Sequence, residues 1–153
     1  VYKRQVLQSP YRPKIMVLTV QREVAARMVA DEGEMNMLAV SVQFYCSVRT
    51  LAHVPAGALY PCPDVESSVV RLDVLPQSDW PHQDHKRFFG VVRSGFAHRR
   101  KQLQNALAQG TELSREQVVE GLRAAGVDPC RRAQTLSMHE WARLTDCMPM
   151  ATD

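Results

Sequence analysis

The run Lys14-Ile15-Met16-Val17-Leu18-Thr19-Val20 passes almost without a loop into the stretch Gln21–Ala30, and this junction constrains the fold most. A short, near-continuous apolar run rich in branched side chains predicts a strand buried on both faces, as in a parallel sheet. The stretch after it places Val24, Met28 and Val29 on one side of a helix. A strand feeding a helix directly points to α/β architecture. Asp31–Asn36 reads as a polar loop around Gly33. Met37–Tyr45 reads as a helix, because a strand there would crowd the next one. Ser47–Val54 predicts a strand, and Pro55–Pro63, with three prolines and a glycine, predicts a loop. Ser67–Leu75 alternates as a final strand.

Pro76–Gln83 is polar, holds two prolines and marks a boundary. Everything beyond it reads as helical. Phe88, Phe89, Val92, Phe96, Leu103 and Leu107 form an apolar stripe on one long helix from about His85 to Gln109. Ser114-x-x-Gln117 and Ser137-x-x-Glu140 carry the signature of a capping box, in which side chain and backbone satisfy each other at a helix start. Gly126, followed by Pro129, ends the helix between them. The expected fold is therefore α/β, part of a sheet followed by a small all-helical domain.

Charge separates the two parts. Residues 1–79 hold eight Lys/Arg and eight Asp/Glu, whereas residues 80–153 hold eleven and eight. Lys86–Lys101 alone carries six basic residues and no acidic one. Such a stripe fits a phosphate-backbone partner or a solvated helix face. No run approaches the roughly 18 apolar residues of a membrane span, and residues 1–5 lack the apolar core of a signal peptide, so a cytoplasmic location is expected. Cys46, Cys62, Cys130 and Cys147 contain no CxxC pair and read as free thiols. His82 and His85 lack a nearby Cys partner, and no metal is expected.

Two constellations bear on chemistry. On a continuous helix at about 100° per residue, Lys86, Arg93 and Arg100 fall together with Lys101 nearby. Guanidinium forks suit phosphate oxygens and keep their charge at any working pH; Gln102 and Asn105 add neutral hydrogen bonds. In the loop Pro55–Pro63 the prolines limit conformational freedom. Tyr60 there either stacks on a nucleobase or packs in the core. Gln21, Arg22 and Glu23 open a helix, and Asp64 and Glu66 are loop neighbours; nothing in the sequence brings these groups to a common site. No Gly-x-Gly loop occurs, and the seven glycines are scattered.

Four ordered strings resemble the KsgA/RsmA family of RNA adenine dimethyltransferases. Arg12-Pro-x-x-Met16-Val-Leu-Thr-Val-Gln21-Arg-Glu23-Val-Ala25-x-Arg27 resembles the strand and helix after that family's NLPY-type motif. Val54-Pro55-x-x-Ala58-Leu59-Tyr60-Pro61-x-Pro63-x-Val65-x-Ser67 is similar to its Phe-x-Pro-x-Pro-x-Val-x-Ser segment. Phe89 through Phe96-Ala-x-Arg99-Arg100-Lys101-x-Leu103-x-Asn105-x-Leu107 is similar to its basic helix. Gly126-Val-x-Pro129-x-x-Arg132-Ala-x-Thr135-Leu136-Ser137 matches a later stretch. The resemblance implies a Rossmann-like methyltransferase sheet, then a helical RNA-binding domain. It implies methyl transfer from S-adenosylmethionine to the N6 atoms of two adjacent adenosines near the 3′ end of small-subunit rRNA. The implied partner is the immature 30S-type subunit, and the intact enzyme is expected to be monomeric.

By the same resemblance, Leu59, Tyr60, Pro61 and Pro63 form the target-base pocket, and Lys86, Arg93, Arg99, Arg100, Lys101 and Asn105 bind RNA. The chain departs from the pattern in three places: Leu59 stands where the family stacks a Phe, Asp64 where it has Lys, and His98 where many members have Gln. The Gly-rich donor loop, the ribose-binding acid and the NLPY-type motif have no counterpart. Residues 1–5, read back as codons, look like a library adapter joined to a truncated frame. The expected organisation is thus 1–5 non-native, 6–76 the second half of the methyltransferase domain, 77–82 a linker, 83–147 the helical RNA-binding domain and 148–153 a tail. A chain so arranged is expected to bind no donor and to be inactive alone, with a free sheet edge and apolar face weakening its first part. The competing readings are a helix-turn-helix DNA binder and a ribosome-assembly factor without chemistry.

Overall fold

The computed structural model describes residues 12–149, so the expectations for residues 1–5 and for most of the tail lie outside the described residues. Contacts divide the chain into two compact units. Within the described residues, one takes 12–30 and 38–80, and the other takes 31–37 and 81–149.

The first unit contains a three-stranded sheet: β1 (Ile15–Gln21), β2 (Cys46–Val54) and β3 (Ser67–Val74). Its order is β1-β3-β2, and both pairings are antiparallel. This corrects the expectation of a parallel strand buried on both faces. The last strand inserts between the first two, and β1 alternates between exposed and half-buried residues. Ile15 and Val17 remain 49% and 56% exposed on one face. The other face carries Val70 and Leu72 from β3, both fully buried.

Helix α1 (Arg22–Met28) starts directly after β1, as the junction predicted, and α2 (Met37–Gln43) follows. Ala25, Met28, Ala39, Val40 and Val42 supply their buried sides. The Gln43 amide donates to the carbonyls of Met28 (3.1 Å) and Ala30 (2.9 Å), tying the end of α2 to the end of α1. Phe44, Tyr45 and Trp80 form an aromatic cluster, with the Arg12 guanidinium 4.9 Å over the Trp80 ring. Cys46 is buried beside it in sequence, and its thiol is pushed up to about 12 by burial, then by the Asp73 carboxylate. It stays protonated and unreactive at neutral pH. Ser68, fully buried, is satisfied by His53 Nδ1 across the strand pair at 2.9 Å.

The second unit is helical: α3 (His85–Phe96), α4 (Leu103–Gly110), α5 (Arg115–Ala124) and α6 (Met138–Cys147). The single helix expected over 85–109 is therefore two helices. The break has an identifiable partner. The amides of Leu103 and Gln104 donate to the carbonyls of Arg131 (2.7 Å) and Pro129 (3.2 Å). Orphan donors at a helix start need such acceptors, and here they come from a segment far away in sequence. Asp84 caps α3, accepting from the Arg87 amide at 3.0 Å, and this bond holds its carboxyl below the usual carboxylate range. Both capping boxes form as expected, at Ser114–Gln117 and Ser137–Glu140. Gly126, at φ +71°, supplies the left-handed residue after α5.

The core of this unit gathers Phe88, Val92, Leu103, Leu107, Leu122, Leu136, Trp141 and Leu144, none of them accessible to solvent. Two glycines allow the close approach of its helices. A Cβ on Gly95 would lie 2.5 Å from the Trp141 ring, and one on Gly110 would lie 2.6 Å from Ser94 Cβ. Ser94 Oγ donates to the Gly110 carbonyl at 2.7 Å. The segment 31–37, expected as a loop of the strand-bearing part, joins the helices instead: the amides of Gly33 and Met35 both donate to the Gln134 carbonyl. Among the described residues no helix is long and apolar enough to cross a membrane.

Arg131 is the electrostatic centre of the helical unit. Its guanidinium donates to Glu140 Oε1 at 2.5 Å, to Glu140 Oε2 at 3.1 Å, to Thr135 Oγ1 at 3.1 Å and to the Thr135 carbonyl. Glu140 Oε2 also accepts from the Ser137 amide at 2.9 Å. The Arg131 bond, aided by Ser137, holds the Glu140 carboxyl below its ordinary value. A lowered folded value adds stability above the ordinary carboxylate range, and that stability is lost as pH falls through the folded value. Glu140→Gln is therefore expected to cost about 1–3 kcal/mol at neutral pH. In urea melts the gap from wild type should begin to narrow once the pH drops below the ordinary carboxylate range, about 4.3, and should go on narrowing in stronger acid; a gap that stays constant from neutral pH into strong acid would contradict this account.

Candidate nucleic-acid interface

In the first unit, all three strands reach one end of the sheet together, because Gln21 and Val54 are both register partners of Ser67. The Pro-rich loop leaves β2 at Val54 and re-enters the sheet at Ser67, so both of its feet sit at that end. A short turn of 3-10 helix, Ala56–Ala58, follows Pro55, and the Tyr60–Pro61 bond is cis. Leu59 is 38% exposed and Tyr60 is exposed completely. Pro61 is exposed and Pro63 half-buried. Of the four residues expected to form the base pocket, Leu59, Tyr60 and Pro61 thus stand as an exposed ridge, with Pro63 half-buried beside them. Of the two readings of Tyr60, packing in the core is excluded. Its ring is free to stack, whereas Leu59 offers contact without a π face.

In the second unit, Lys86 and Arg93 are exposed on α3, seven residues apart and so on one side of it. Arg100 does not continue that line, because α3 ends at Phe96. Residues 97–102 form a turn between α3 and α4, and all six are exposed. Arg99, Arg100 and Lys101 project from this turn; Lys101 Nζ donates to Gln109 Oε1 at 2.6 Å. Asn105 sits half-buried on the first turn of α4. The expected basic helix face is therefore a basic corner. A cationic turn between two helices also differs from a helix-turn-helix motif, which places its base-reading groups on the second helix.

Sequence reasoning left two groups unassigned. Arg131 is the internal ion-pair centre described above. Arg132, its neighbour, is exposed. Because the Arg131 carbonyl accepts from the Leu103 amide, Arg132 lies beside the basic turn and adds a fourth cation to that corner. Two adjacent arginines near Pro129 were the available signal, but nothing local says which one turns inward.

A model of the ribosomal RNA adenine dimethylase family matches residues 3–147. Among curated relatives, the "Ribosomal RNA small subunit methyltransferase A" of Dehalococcoides mccartyi strain 195 is 44% identical over 141 residues, covering 92% of this chain and 48% of that protein. The protein of the same description from Alkaliphilus metalliredigens is 41% identical over 133 residues, covering 85% and 46%. The chain thus spans about half the length of the curated relatives it matches. Two solved structures share the fold. A dimethyladenosine transferase from Plasmodium falciparum superposes with a TM-score of 0.74 at 20% identity, over 92% of this chain and 59% of that one. The 23S rRNA methyltransferase ErmE gives 0.66 at 20% identity, over 96% and 59%.

Proposed function

The chain belongs to the ribosomal RNA adenine dimethylase family, and from that premise we propose that it forms the base-holding loop and RNA-docking part of a small-subunit rRNA adenine dimethyltransferase. The intact enzyme, in this reading, moves methyl groups from S-adenosylmethionine to N6 of two adjacent adenosines near the 3′ end of that rRNA. It acts as a cytoplasmic monomer on the immature small subunit. The observation that carries the reading is the turn 97–102, six consecutive exposed residues with three cations in a stretch free of acidic residues. Arginine and lysine gathered at an exposed corner suit backbone phosphates, which position a nucleic acid without reading its sequence. Tyr60 supplies the second element. A base taken out of its stack needs an aromatic face, worth about 1–3 kcal/mol per base.

The residues present do not fit the methyl donor. β1 runs into α1 with no loop between Gln21 and Arg22, and no Gly-rich turn follows any of the three strands. These are the places where a dinucleotide-like ligand would be cradled. No methyl-transfer step is therefore assigned to residues of this chain, and the chain by itself is expected to be inactive.

Two titrations test the reading. Calorimetry with S-adenosylmethionine should give no binding heat at micromolar concentration. Anisotropy with a single-stranded RNA from the 3′ end of small-subunit rRNA should give an affinity that falls steeply with salt. Tight donor binding would refute the first claim, and RNA binding absent at low salt would refute the second.

A further inference from the structure

The loop and β1 meet at one end of the sheet, and a cleft of ≈460 Å³ opens there, lined by Gln21, Arg22, Glu23, Ala26, Val65 and Glu66. Two bonds join its walls. The Arg22 amide donates to the Glu66 carbonyl at 2.9 Å, and Arg22 Nη1 donates to Glu66 Oε2. The foot of the Pro-rich loop is thereby fixed to the start of α1. Val65, 47% exposed, and Ala26 give the cleft an apolar surface.

The chemistry of this lining selects among ligands. Glu23 and Glu66 both line the cleft, whose surface is mainly apolar, and two acidic residues there disfavour a phosphate. Among the described residues, one guanidinium nitrogen of Arg22 is engaged by Glu66, and Glu66 Oε1 is an open acceptor. A donor beside an acceptor, with the Gln21 amide adding one of each, matches the edge of a nucleobase. An exocyclic amine would donate to Glu66 Oε1, and a ring nitrogen or carbonyl would accept from Arg22. The ring face would lie on Val65 and Ala26. A cleft of this volume lies in the range of small-ligand sites, about 300–1,000 Å³. The second requirement is position. A single-stranded segment that offers one base to Tyr60 carries its neighbour unpaired, with its Watson–Crick edge free.

We propose that this cleft seats the base adjacent to the one that the Leu59–Tyr60 ridge holds, and that it selects a base with an exocyclic amine. The proposal rests on the RNA reading above. Arg22 and Glu66 are an exposed pair, 63% and 47% accessible. Such pairs contribute little to folding, so Arg22→Ala and Glu66→Gln should leave the fold intact, which circular dichroism checks.

The test uses the 153-residue chain and short single-stranded RNAs with two adjacent adenines in a uridine background. In two further RNAs, an abasic site replaces the 5′ or the 3′ adenine. Wild type should prefer the two-adenine RNA over one of the abasic RNAs by about tenfold, within the range of one good base contact. Arg22→Ala and Glu66→Gln should each erase that preference. Tyr60→Ala should weaken the two-adenine RNA and the RNA whose cleft base is abasic alike, keeping their ratio. If Arg22→Ala and Glu66→Gln retain the wild-type preference, the cleft does not read a base. The same conclusion follows if wild type binds all three RNAs equally while still losing affinity with salt; only the cleft assignment then falls. If wild type binds none of them, the RNA reading itself fails and takes the cleft with it.

Discussion

Replacing Trp141 by alanine is expected to destabilise the helical unit by about 3–5 kcal/mol, the usual cost of deleting a large buried ring. The ring is fully buried. It lies 5.6 Å from the ring of Phe96 by centroids, and Gly95 leaves room for its edge. In a unit of this size each kcal/mol shifts Tm by roughly 4–8 °C, so the melt should fall by more than about 12 °C. Trp141→Phe separates volume from polarity. The indole Nε1 has no hydrogen-bond partner among the described residues, so phenylalanine removes an unsatisfied buried donor along with some volume. Its cost should be under about 2 kcal/mol. Equal losses for the two variants would show that the ring is not the packing centre. Gly95→Ala approaches the same contact from the other side: the new methyl would sit 2.5 Å from the indole edge, and overpacking of this kind costs about 1–3 kcal/mol.

Neutralising Arg99, Arg100 and Lys101 together to alanine is expected to weaken RNA binding by roughly 10²-fold at about 0.1 M salt. The dependence of log affinity on log salt should flatten by about 2, since each single-strand phosphate contact contributes about 0.7. The side chains are exposed, and surface changes of this kind stay within about 0.5 kcal/mol of wild-type stability, so lost affinity cannot be attributed to unfolding. An unchanged salt slope would exclude the basic corner as the docking surface. Arg132→Ala should show the same signature at about one third of the size, because it adds one cation to that corner. Arg131→Ala should instead lower the melting temperature, because its guanidinium is committed to Glu140 and Thr135.

What the sequence disclosed follows from how local each feature is. Ser114–Gln117 and Ser137–Glu140 were readable because a capping box closes within four residues. The strand-to-helix junction at Gln21 was readable for the same reason. The pairing direction of β1 was not, because it depends on β3, about fifty residues later, inserting beside it. An apolar run cannot state whether its neighbour runs up or down. The long basic helix failed in a similar way. Residues 97–102 carry no proline or glycine, and the carbonyls that start α4 come from Pro129 and Arg131. At the candidate site, the charge of Arg99–Lys101 was legible and its geometry was not. The exposure of Tyr60 and the meeting of Arg22 with Glu66 needed the register at Ser67.

The short stretch 31–37, held to the Gln134 carbonyl through Gly33 and Met35, has a consequence for inheritance. The helical unit is encoded in two pieces separated by most of the sheet. A single recombination breakpoint near residue 80 would join the helices of one parent to the strap of another, so the two backbone bonds at Gln134 would form only where the incoming strap follows the same path. Exchange of the helical unit between relatives therefore favours whole-gene transfer, or matching change at the strap, over simple module shuffling. Hybrids built by one crossover should be more stable when residues 31–37 and the loop around Gln134 come from the same parent, by at most the worth of these two bonds, about 1–3 kcal/mol.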